Sequence, residues 1–275
     1  MMKKLFYLII VNLFLMSCSN SQPQYNDPVP AHDSLKIASA VLNETRHINI
    51  WTPAPYKTGA DSLPVLYMLD GGLKEDFAHV ANTLEKLINN KSIPPMILVG
   101  IENTQRRRDL TGPSEVKEDE KVAPLSDGST PFRKFLKEEL FPKINQSYRT
   151  TGQKAIIGES VAGLFVMETL LLDGEMFNAY IAFDPSVWWN NHYLVRTSTE
   201  YLKKLPAQPI KLWFAGSDAT DISQYTQQLA KDFTSNAPAT LTWKYSDEPK
   251  EQHNTIFRAT KEKALIWTFG ENKRN

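Results

Sequence analysis

The stretch Gly158-Glu159-Ser160-Val161-Ala162-Gly163 decides how this chain is read. Before it stands the short apolar run Ala155-Ile156-Ile157, and after it comes the apolar segment Leu164-Phe165-Val166-Met167. A brief apolar run that ends in glycine and passes at once into a longer apolar segment reads as a buried strand turning sharply into a helix. A serine on such a turn has its hydroxyl lifted above the sheet. The residues two before and two after it must be small, because strand and helix nearly touch there. Gly158 and Ala162 meet that demand, so Ser160 is the candidate nucleophile.

Outward from this turn, strands and helices alternate. Pro64-Val65-Leu66-Tyr67-Met68-Leu69 is an almost unbroken apolar run, as expected of a strand covered on both faces, and it stops at Asp70-Gly71-Gly72. Residues 76–90 follow a helical period, with Phe77, Val80, Leu84, Leu87 and Ile88 on one face, and residues 96–101 read as another buried strand. An earlier strand covers residues 45–51 and is closed by Pro53 and Pro55. Further strands are expected at 179–183, 210–215 and 240–245, and helices at 131–148, 222–233 and 254–269. Residues 103–129 are polar and charged without periodicity, the mark of a long functional or mobile loop. The alternation implies one α/β domain over residues 35–275, with a mostly parallel sheet and helices on both faces.

A nucleophilic serine on a strand–turn–helix of this kind is the elbow of the α/β-hydrolase fold, whose triad runs Ser, acid, His along the chain. Of the five histidines, His32 precedes the domain, His47 lies in an early strand, His79 is on the polar side of a helix and His192 precedes one. Only His253 falls in the polar connection between the last strand and the last helix, where the fold places its general base. The acid should follow a strand between the two. Asp218, just past the apolar run 210–214, is the candidate, with Asp221 and Glu251 as alternatives. The oxyanion hole is expected from the backbone amides of Val161 and Gly72. No grouping of His, Cys or carboxylates has metal-ligand spacing, and no glycine-rich phosphate loop occurs, so no metal or cofactor is expected.

Composition bounds the partners. The chain has 275 residues, 41% hydrophobic and 23% charged, and its 31 basic and 31 acidic side chains cancel. Such a balance gives no polyanion-binding surface, so nucleic acid is not an expected partner. At the N-terminus, Lys3 and Lys4 precede an apolar run over residues 5–16, interrupted by Asn12 and ending in Leu15-Met16-Ser17-Cys18. The run is short for a membrane span and right for a secretory signal. Its end resembles the lipobox of bacterial lipoproteins, which implies a signal peptide over residues 1–17 and lipidation of Cys18, the only cysteine. Residues 18–34 read as a flexible tether. The expected location is then the cell envelope, lipid-anchored to a membrane and facing the periplasm or the surface.

Residues 38–268 also resemble the esterase branch of the α/β-hydrolases that includes siderophore esterases and esterase D-like enzymes. The resemblance rests on Thr45-Arg46-His47-Ile48-Asn49-Ile50, on 64–71, on Val99-Gly100-Ile101-Glu102-Asn103 and on Arg106-Arg107-Arg108-Asp109-Leu110-Thr111. It continues through Glu138-Glu139-Leu140-Phe141-Pro142, Tyr148-Arg149-Thr150, the elbow, and Asp184-Pro185-Ser186-Val187-Trp188-Trp189. That branch usually carries His where this chain has Glu159, and Gly where it has Ala162. The resemblance implies a serine esterase that cleaves a carboxylic ester of a small molecule or glycan through an acyl-enzyme, with Trp188 and Trp189 lining the substrate pocket. Two other readings keep the same fold: a non-catalytic binding lipoprotein, and an acyltransferase using the same triad.

Overall fold

The computed structural model describes residues 26–270. A hairpin of β1 (Asp33–Ser39) and β2 (Glu44–Trp51) leads through the one-turn helix α1 (Ala54–Thr58) into β3 (Leu63–Met68). Next come α2 (Phe77–Asn89), β4 (Ile97–Ile101), the short α3 (Arg106–Asp109), α4 (Ser129–Phe135) and α5 (Phe141–Ser147). The second half runs β5 (Thr150–Glu159), α6 (Val161–Leu172), β6 (Ala179–Phe183), α7 (Trp189–Leu202) and β7 (Ile210–Gly216). It closes with α8 (Ser223–Asn236), β8 (Leu241–Asp247) and α9 (Ile256–Phe269).

The strands form one sheet in the order β1-β2-β4-β3-β5-β6-β7-β8. β2 pairs antiparallel with β1 and β4, and all the remaining neighbours are parallel. Alternate residues of the central strands feed two cores. Tyr67, Val99, Ile156 and Tyr180 pack against α4, α5 and α6, whereas Leu66, Met68, Leu98, Ile157 and Trp213 pack against α2 and α9. Burial on both faces is why these strands read as continuous apolar runs. Helix α6 is buried from Val161 to Leu171, which explains an apolar character that extends all round it.

Three elements differ from the sequence reading. The domain starts earlier than residue 35. Asp33 already pairs with Ile50 in the hairpin, Asp27 binds Arg258 and His79, and the Pro28 carbonyl accepts from Asn82. The helix expected over 131–148 is split by a π-helical turn, Leu136–Leu140, just before Pro142. Proline has no N–H to give the preceding turn, so the α-ladder is interrupted there. The long loop is ordered by α3 and by a 3-10 turn, Lys117–Lys121. Buried Asp109 holds it by accepting from Arg46 at 2.6 Å and from Arg108 at 2.7 Å. Cys18 and the signal-like segment lie outside the described residues.

Candidate active site

Ser160 caps the C-terminal end of β5 with φ 59 and ψ −120, a left-handed conformation that side chains rarely adopt. Three backbone bonds fix it. Its N–H donates to Phe183, and its carbonyl accepts from Leu164 and from Ser186. A Cβ on Gly158 would stand 2.7 Å from the Ala162 carbonyl carbon, which is the close approach that the small residues were expected to serve.

His253 reaches this point from the connection between β8 and α9. Its Nε2 lies 3.0 Å from Ser160 Oγ, and its Nδ1 lies 2.6 Å from Asp184 Oδ2. Asp184 directly follows β6 and is fully buried. It also accepts from the Ser217 N–H at 2.8 Å and the Ser217 hydroxyl at 2.7 Å, so its carboxylate is held rigidly.

The sequence reading placed the acid at Asp218; the structure sets Asp184 on His253 instead. Strand order is the reason. β6 lies directly beside β5, with Phe183 paired to Glu159, whereas β7 is one strand further away. The end of β7 has a supporting part: Ser217 grips Asp184, and the Asp218 N–H donates to the Glu251 carbonyl at 2.9 Å, anchoring the loop that carries His253. Asp184 met the same criterion as Asp218, an acid just past an apolar strand. Only the sheet order separates them.

The surroundings act on His253 and on Glu159, the chain neighbour of Ser160. The hydrogen bond that His253 donates to Asp184 raises its pKa above the usual 6.5 against the opposing effect of burial, and the charges of Asp184, Glu159 and Asp221 add to the rise. Burial pushes Glu159 up to about 8, with Asp76 and Asp70 raising it further and His253 and Arg106 opposing. Arg106 is a contact that the sequence reading did not single out. Its guanidinium binds Asp70 through Nε at 2.5 Å and an amino nitrogen at 2.7 Å, and that nitrogen also donates to the Glu159 carbonyl at 3.2 Å. It therefore ties the turn after β3 to the residue preceding Ser160.

Val161 is the first residue of α6, so its amide has no partner inside the helix and is available as a donor. The Gly72 amide is not free as expected. It donates to Glu75 Oε2 at 2.6 Å, while Asn103 Nδ2 holds Glu75 Oε1 at 2.7 Å. The two tryptophans also part company. Trp189 is buried, and its indole N–H donates to the Gly112 carbonyl at 3.1 Å, which makes it an anchor for the long loop rather than a wall of the site. Trp188 remains half-buried.

The chain is similar to known proteins. The family described as "Putative esterase" matches residues 39–268. Ferri-bacillibactin esterase BesA of Bacillus subtilis is 30% identical over 210 residues, which is 69% of this chain and 71% of that protein. The apo-salmochelin esterase of Escherichia coli is 30% identical over 158 residues, covering 53% of this chain and 49% of the relative. Among solved structures, an IroE-like serine hydrolase from Shewanella oneidensis superposes with a TM-score of 0.77 at 28% identity, covering 86% of this chain and 79% of its own.

Proposed function

Because this chain belongs to the Putative esterase family and is an ester hydrolase, we propose that Ser160, His253 and Asp184 form its catalytic triad and that it works through an acyl-enzyme. The observation that carries this reading is the continuous hydrogen-bond chain from Asp184 through His253 to Ser160. Asp184 fixes the imidazole proton on Nδ1, leaving Nε2 to accept the Ser160 proton as Oγ attacks the ester carbonyl. The imidazolium then protonates the departing alcohol, and water repeats the cycle on the acyl-enzyme. The Val161 amide stabilises the oxyanion. Gly72 supplies a second donor only when its bond to Glu75 opens.

The substrate we propose is a small-molecule ester of the kind that the siderophore esterases among its relatives are named for. The lipobox-like end of the N-terminal segment supports attachment to an envelope membrane at Cys18. Conversion of Cys18→Ala should move the protein from the membrane to the soluble fraction.

Steady-state hydrolysis of p-nitrophenyl esters tests the triad. Ser160→Ala should abolish turnover and fluorophosphonate labelling. Asp184→Asn should lower kcat/KM by about 10³–10⁴-fold, because the imidazole then takes the wrong tautomer. Asp218→Asn should stay within about threefold of the parent, since it is the Asp218 backbone that makes the anchoring bond. Equal losses in Asp184→Asn and Asp218→Asn would refute the assignment.

A further inference from the structure

A second hydroxyl stands beside the nucleophile. Ser186 Oγ lies 3.3 Å from Ser160 Oγ, its residue is 2% exposed, and its backbone N–H donates to the Ser160 carbonyl at 3.0 Å. Among the described residues this is the one hydrogen bond of the Ser186 side chain. Its place is set by the backbone. Asp184 is left-handed, with φ 43, Pro185 is restricted in φ, and the Val187 N–H closes back on the Pro185 carbonyl. Ser186 is thus fixed by the same turn that carries the acid.

The direction of the Ser186–Ser160 bond follows from the protons around it. An ionised carboxylate only accepts, so Asp184 holds the proton of neutral His253 on Nδ1. Nε2 is then an acceptor, and Ser160 donates to it. With the Ser160 proton committed, the donor across the 3.3 Å contact is Ser186. From this geometry we infer that Ser186 is a further catalytic residue, a hydrogen-bond donor to the nucleophilic oxygen itself. The inference rests on Ser160 being the nucleophile.

The chemistry is differential. As the Ser160 proton passes to His253, negative charge gathers on Oγ, and a hydroxyl binds a charged oxygen more strongly than a neutral one. The contact therefore stabilises the attacking state more than the resting state. Once Oγ is bonded to the acyl carbon and the alcohol has left with the proton from His253, Oγ is an ester oxygen and a weak acceptor. In the second half, water gives a proton to His253 as its oxygen bonds to the acyl carbon. The carbon–Oγ bond then breaks, and Oγ leaves with the electron pair. Ser186 meets that charge before His253 returns the proton. Ser186 keeps its own proton throughout.

Ser186→Ala and Ser186→Cys in the full chain test this, the second keeping the shape while supplying only a weak donor. Both kcat on p-nitrophenyl acetate and the rate constant for fluorophosphonate labelling should fall about tenfold in Ser186→Ala, as for one lost bond to a charged oxygen. KM should stay within twofold, and the melting temperature should stay close to the parent's. Ser186→Cys should fall at least about threefold on the same measures, and it decides the matter if the alanine variant does not fold. Labelling at the parent rate by either folded variant overturns the inference. Failure of the underlying reading looks different: Ser160→Ala would keep its turnover.

Discussion

Glu159 stands next to Ser160, and its carboxyl titrates far from its ordinary range. Burial lifts its pKa to about 8 from 4.5, so in the folded state it still holds a proton at pH values where the unfolded chain has released one. Between those two values the unfolded state binds fewer protons, and stability must therefore fall as pH rises through the window. In Glu159→Gln this dependence should vanish. The variant should match the parent near pH 4.5 and become progressively more stable than it toward pH 9, as read by urea denaturation at several pH values. With His253 as the proposed base, activity requires its neutral form, and because the bond to Asp184 raises its pKa the acid limb of the kcat/KM profile should lie above 6.5. A limb at or below 6.5 would show that Asp184 does not stabilise the imidazolium.

At the scale of elements, the start of α7 concentrates strain. Asn190, Asn191 and His192 all have left-handed backbone angles, with φ values of 49, 49 and 57. Consecutive left-handed residues of this kind persist only where surrounding contacts over-determine them. The contacts here come from the long loop. The Asn190 N–H donates to Asp119, its side-chain amide donates to the Pro113 carbonyl, and its side-chain oxygen accepts from the Glu115 N–H. Trp189 adds its bond to Gly112. The loop and the segment following Asp184 are therefore one unit. Asn190→Ala should lower stability by about 1–3 kcal/mol, because alanine tolerates the left-handed region poorly and two side-chain bonds are lost. Hydrogen exchange should rise across residues 112–119. Unchanged exchange there would mean that the loop is held independently of the turn.

Over the whole molecule, the site has no existence apart from the sheet. Ser160 follows β5, Asp184 follows β6, and His253 arrives after β8, with Ser217 at the end of β7 bracing Asp184. Four parallel strands thus bring residues separated by 93 positions, Ser160 and His253, into contact. The two cores lie on opposite faces of the same strands, so neither is expected to unfold alone. Fluorophosphonate labelling and far-UV circular dichroism should therefore be lost at the same urea concentration. Labelling lost well before the ellipticity would show that the ends of the strands open separately.

Local chemistry was enough to read the sharp turn at Ser160, the alternation of strands and helices, and His253 as the imidazole that reaches Ser160, since each depends on neighbours in sequence: small residues flanking a sharp turn, apolar periodicity, and a polar connection before the last helix. The carboxylate that meets His253 was not readable in this way. Asp184 and Asp218 both follow apolar strands, and the one that meets His253 is decided by which strand lies beside β5. The engagement of the Gly72 amide by Glu75, the clamp of Arg106 on Asp70 and the burial of Trp189 were equally invisible, because each depends on where a side chain finds its partner once the chain has folded. Sequence periodicity sets what each segment becomes. Only the order in which strands pair sets which side chains meet, because that order is fixed by the packing of the whole sheet and not by any one segment.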